Sequence, residues 1–102
     1  MTQITLSMLK AKIDYLNEIT NSPALPYEII DDGIKTTLKA NIGNFHLYQA
    51  YGAYGLHRMV NEGGGITDKY IYGLHTKREL FEKLSAFIAG LELNKRESML
   101  EV

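Results

Sequence analysis

Apolar residues recur every three or four positions at the two ends of the chain and every second position in its middle. That pattern predicts a helix, a block of strands and a second helix. The first helix spans about Thr5 to Thr20. Leu6, Leu9, Ile13 and Leu16 share one face, while Lys10, Lys12, Asp14, Asn17 and Glu18 take the others. Thr5 stands where a hydroxyl can accept from a free amide of the first turn. Asn21-Ser22-Pro23 ends the helix, because proline disfavours helical geometry in the residue before it, and Pro26 repeats the signal. The second helix opens at Thr76, which forms a capping box with Glu79. Leu80, Phe81, Leu84, Phe87, Ile88 and Leu91 make its wide apolar stripe, and Gly90 lies near its end. The polar stretch Asn94 to Val102 is expected to fray.

Between the helices, Tyr27 to Ile30 reads as a short apolar strand and Asp31-Asp32-Gly33 as a turn. From Ile34 the chain alternates, with Ile34, Thr36, Leu38, Ala40 and Ile42 on one side and Lys35, Thr37, Lys39 and Asn41 on the other. Gly43-Asn44 suits a two-residue hairpin. Its register would pair Ile42 with Phe45, Ala40 with Leu47, Leu38 with Gln49 and Thr36 with Tyr51 on an apolar face, and Asn41 with His46 and Lys39 with Tyr48 on a polar one. Gly52 and Gly55 then signal a bulge or tight bend. Leu56 to Val60 alternates like a strand but also fits a helical turn; the strand is preferred because an antiparallel return after a bend needs the fewest residues. Gly63-Gly64-Gly65 is a loop, and Ile66 to Tyr72 is irregular or a short edge strand. The order predicts one α+β domain over residues 1–102. It would be a two-layer sandwich, an antiparallel meander of three or four strands flanked by the N- and C-terminal helices.

Length and composition fit that picture. A chain of 102 residues with 45% hydrophobic residues can bury one core without covalent staples. Lys and Arg (11) nearly balance Asp and Glu (12), and a net charge of −1 lacks the positive field that nucleic-acid binding rests on. With no cysteine, disulfides, thiolate metal sites and cysteine nucleophiles are excluded. No apolar run approaches the ~20 residues that span a bilayer, and the N-terminus lacks the pattern of a secretion signal, so a cytoplasmic protein is expected.

Catalytic constellations are missing from the sequence. His46, His57 and His75 do not stand at the spacing of a helical metal pair, and none of Ser7, Ser22, Ser85 and Ser98 sits in a nucleophile elbow. Asp31 and Asp32 read as turn residues. The chain is expected to be no enzyme and to use no cofactor or metal. The glycine run is the one feature whose amides could form a concavity for an anion, although a phosphate cradle would also open directly into a helix and carry a lysine. Around it lies a concentration of tyrosine, a residue enriched at interfaces; Tyr51 and Tyr72 are expected to be core. The candidate binding set is Tyr48, Tyr54, His57, Arg58, Asn61, Glu62, Gly63, Gly64 and Gly65. The element order is also that of double-stranded-RNA-binding domains, but Lys77 and Arg78 beside Glu79 fall short of their lysine cluster.

The stretch A-N-I-G-N-F-H-L-Y-Q-A-Y-G-A-Y-G-L-H-R-M-V-N-E-G-G-G, from Ala40 to Gly65, resembles a family of small uncharacterised proteins of tailed phages and prophages. The segment T-K-R-E-L-F-E-K-L-S-A-F-I-A-G, Thr76 to Gly90, resembles that family's closing helix. The resemblance carries no motif of known chemistry. It implies an accessory protein at work in the cytoplasm of an infected host, where such proteins bind and block host machinery, defence systems included. The expected function is therefore non-enzymatic binding of a host or phage protein. The alternatives are a small anionic ligand such as a nucleotide held at Gly63 to Gly65, and nucleic acid on Lys35, Lys39, Tyr48 and His46. A homodimer is a further expectation, because a two-layer sandwich leaves one sheet face uncovered.

Overall fold

The computed structural model describes residues 3–100. The elements follow in the order α1 (Leu6–Ile19), β1 (Tyr27–Asp31), β2 (Thr36–Ala40), β3 (Phe45–Ala50), β4 (Ala53–Met59), β5 (Ile66–Thr67) and α2 (Lys77–Leu100). The fold is α+β, with antiparallel strands between an N-terminal and a C-terminal helix.

Both helices start where their caps dictate. The Thr5 hydroxyl accepts from the Met8 amide at 3.2 Å. The Thr76 hydroxyl accepts from the Glu79 amide, one of the donors that the first turn leaves free, and donates to the Glu79 carboxylate, both at 3.1 Å. The apolar stripes meet as their spacing requires. Leu9, Ile13 and Leu16 of α1 and Leu80, Leu84 and Ile88 of α2 are buried together with Phe45, Leu56 and Ile71. Asn17, expected on an outer face of α1, is buried as well, because its carboxamide is bonded to the main chain of β3. The polar stretch after Asn94, expected to fray, stays helical as far as Leu100, with residues 94–98 exposed. Residues 101 and 102 lie outside the described residues.

The strands do not form one meander. They form two small sheets, β1-β2 and β3-β4-β5. The hairpin expected at Gly43-Asn44 is absent, and two other turns take its place. One follows Asp31: the Asp31 carboxylate accepts from the Gly33 amide, and Asp32 accepts from the amides of Ile34 and Lys35, each at 2.9 Å, so β2 folds back on β1 with Ile29 opposite Leu38. The other is Tyr51-Gly52, where both residues have positive φ, 54° and 71°. A two-residue turn of that kind matches the twist of its flanking strands, and it pairs β3 with β4. At Gly43-Asn44 only the glycine has positive φ, so the pair makes a corner between the sheets instead. The corner is pinned on several sides. Gly43 donates to the Met59 carbonyl at 2.9 Å, Met59 donates to the Asn44 carbonyl at 2.9 Å, and the buried Asn44 carboxamide donates to the Pro23 carbonyl at 2.8 Å.

The three-stranded sheet carries the two-layer part of the fold, with α1 packed on β3 and α2 on β4. Leu56 to Met59 is strand, as preferred from the sequence, and Gly55 stays inside it. The chain at Gly73 crosses so close to Gly55 that a Cβ there would come within 2.9 Å of the Gly73 carbonyl oxygen. Ile66-Thr67 is the short edge strand. The β1-β2 ribbon stands away from the helices as an arm. Of the alternating apolar set of β2 only Ala40 is buried, and Leu38 and Ile34 are 65% and 93% exposed.

Candidate functional site

The nine residues singled out from the sequence fall into four places. Asn61 and the glycines form one unit, the loop from β4 to β5. The Asn61 carboxamide oxygen accepts from the Gly63 amide at 3.0 Å and the Gly65 amide at 2.9 Å, and the Asn61 carbonyl accepts from Gly64 at 3.3 Å. The amides that could have met an anion are thus turned inward onto one residue, two on its side chain and one on its carbonyl. The run also has a steric reason: a Cβ on Gly65 would fall 2.3 Å from the Asn61 Nδ2. Glu62 points the other way and lies 3.7 Å from Lys39 on the arm.

Arg58 lies on the face of β4 that carries Leu56. Its Nε donates to the Gly43 carbonyl and its Nη1 to the Tyr70 hydroxyl, both at 2.9 Å, and its guanidinium sits 4.5 Å above the Phe45 ring. It is a brace for the corner, with Nε and Nη1 both engaged within the chain. Tyr54 is at the far end of β4, against the core, where its backbone pairs with His75 and Lys77 sits 5.7 Å from its ring. It lines a cleft with Gln3, Gly52, Thr76 and Lys77, remote from the glycine loop.

On the outer face of the β3-β4 pair, Tyr48 stacks on His57 with centroids 4.1 Å apart, and His46 meets His57 edge-on at 5.8 Å. Burial holds His46 below the usual imidazole range, and repulsion from His57 adds to it. Burial also lowers His57, against an opposing pull from the Asp68 carboxylate. Both rings are therefore neutral near pH 7. Tyr51 and Tyr72, expected in the core, are 100% and 82% exposed, because one is the turn residue of the hairpin and the other lies on the loop before α2. Lys35 and Lys39 belong to the arm while Tyr48 and His46 belong to the other sheet, so the register that would have gathered them for nucleic acid does not exist. Lys39 is moreover flanked by two carboxylates, Glu28 at 3.9 Å and Glu62. Among the described residues no three metal-ligating His, Asp or Glu side chains gather, and no helix is long and apolar enough to cross a membrane.

The surface that sequence reading missed is the arm. By alternation Tyr27, Ile29, Leu38 and Ala40 share one face, and Glu28, Ile30, Thr37 and Lys39 the other. The first face continues at its base into Leu25, which is 67% exposed. It carries no charged side chain short of Asp31 at its outer end. The Tyr27 hydroxyl rests against the glycine loop, which leaves no more than 3.2 Å for a Cβ on Gly64 and anchors the base of the ribbon. Against protein-family models, curated proteins and solved structures alike, no match is found for the chain.

Proposed function

We propose that the chain is a non-enzymatic protein-binding module, an accessory protein of the phage or prophage kind that binds a host protein and modulates or inhibits it, with defence components among the candidates. The single observation that carries the reading is the uncovered arm. A two-stranded hairpin alone is marginal in water, and monomeric proteins rarely leave an apolar patch beyond roughly 300–600 Å² open. Here Leu25, Ile29, Ile34 and Leu38 are all largely exposed on one ribbon. Such a surface gains free energy by meeting another chain. The resemblance of Ala40 to Gly65 and Thr76 to Gly90 to phage accessory proteins supplies the context. The alternative, a nucleotide on the glycine loop, would have to displace the Asn61 carboxamide from the Gly63 and Gly65 amides and has a weaker footing.

The reading is tested by placing a photo-crosslinking amino acid at Leu38 and, as a control, at the exposed Glu82 of α2 in bacterial cells. Protein adducts at Leu38, identified by mass as a host protein or a second copy of the chain, and none at Glu82 are expected. Irradiation that leaves the Leu38 variant at its own mass overturns it.

A further inference from the structure

We infer that the chain covering the arm is a second copy of this one, packed face to face through Tyr27, Ile29 and Leu38. The inference rests on the arm being a protein-binding surface and names its partner. Area is the first support. Leu25, Tyr27, Ile29, Ile34 and Leu38 together leave on the order of 700 Å² open, close to the ~800 Å² that each partner gives to a standard interface.

Charge is the second. The cross-strand pair Glu28 and Lys39 lies on the opposite face, where Glu62 completes it, and Asp31, at the outer end of the apolar face, is set by the two-fold at the opposite end from the partner's Asp31, so the two copies bring no like charges together. The third is symmetry. Ile29 and Leu38 are the middle rung of the five registered pairs, with Tyr27 and Leu25 towards the base and Ile34 at the tip. A two-fold axis through that rung sets the tip of each arm on the base of the other and buries every apolar member, as an isologous contact requires.

Face-to-face packing is favoured over edge pairing. The open apolar area lies on the face, and the β2 edge is already engaged at its base, where the Ala40 amide donates to the Glu62 carbonyl at 3.1 Å. A host protein then meets the pair rather than the single chain, and the pair offers the Tyr48–His57 face and the Tyr51 turn twice.

Light scattering after size exclusion tests the inference. At roughly 100 µM the intact chain is expected to elute at twice 11.5 kDa, and Leu38→Lys at that mass once, with an unchanged circular dichroism spectrum. Because the chain holds no cysteine, Leu38→Cys gives a single reactive site and does not depend on the lysine variant folding. Packed sheets lie ~10 Å apart, beyond the reach of a disulfide, so a short bis-maleimide is the probe. It should join Leu38→Cys chains into a covalent pair and leave Glu82→Cys chains single. A monomer mass for the intact chain overturns the inference, and so does a dimer that the reagent fails to join at Leu38→Cys. If the chain is monomeric while the photo-crosslinker at Leu38 labels a different protein, the second copy is ruled out and the arm remains a binding surface. If the chain is monomeric and nothing is labelled, both fall.

Discussion

The Asn17 carboxamide donates to the Phe45 carbonyl at 2.9 Å and accepts the Phe45 amide at 2.8 Å. One buried side chain on α1 thereby satisfies both polar groups of the first residue of β3, on the edge that faces away from β4. The pairing fixes the height of the helix on the sheet and occupies that edge at the first residue of β3. Asn17→Leu removes both bonds and leaves a buried amide and carbonyl without partners. A loss of about 3 kcal/mol in unfolding free energy is expected, read as a lower urea midpoint.

Gly65→Ala forces its new methyl against the Asn61 carboxamide. The side chain can swing away, so the cost is modest, about 1–2 kcal/mol. The local effect is larger. Amide exchange at Gly63 and Gly65 should quicken markedly while Gly43, in the corner, keeps its protection. Asn61→Ala is expected to reproduce the pattern with no clash.

Tyr51 occupies the left-handed region without being glycine and is wholly exposed, so no burial compensates its backbone strain. Asn-Gly is the favoured pair for such a turn. Tyr51→Asn is therefore expected to stabilise the fold by ~0.5–1 kcal/mol, seen as a higher melting temperature.

His46 and His57 titrate lower in the folded protein than the ordinary value of 6.5. The unfolded chain consequently binds more protons as the pH falls through 6.5, and stability declines from there until the folded-state values are passed. Urea midpoints should be lower at about pH 5 than at about pH 7.5. The double variant His46→Gln with His57→Gln should flatten that difference; an undiminished slope would assign it to other groups.

The helices were legible because burial and spacing say the same thing at Leu9, Ile13 and Leu16 and at Leu80, Leu84 and Ile88. The strands existed where alternation placed them, yet their pairing was hidden. Asp31-Asp32-Gly33 reads as a turn, Gly43-Asn44 as a hairpin and Gly52 as a bulge or tight bend, and a local pattern cannot choose among partners that only tertiary contacts select. Alternation also reports which residues share a face, not whether anything covers it, so Leu38 read as core and lies in water. Asn17 gave no sign at all, because a polar residue on a helix reads as solvated until a strand is seen beside it. Of the candidate site, the sequence found the loop of glycines but not the reason for it, since the carboxamide that fills it is an ordinary asparagine four residues before Gly65.

The corner at Gly43-Asn44 sets the bearing of the arm. Gly43 and Asn44 donate there to the carbonyls of Pro23, Asn41 and Met59 and accept from the Met59 amide and the Arg58 guanidinium. They act as a hinge pin, and Tyr27 of β1 with Lys39 and Ala40 of β2 steady the arm against the β4–β5 loop beside it. In a two-fold pair the angle counts once per chain, so an error at Asn44 is doubled in the separation of the two bodies. In the proposed pair, retuning that joint would re-space the two bodies even though Gly43 and Asn44 lie outside the contact face.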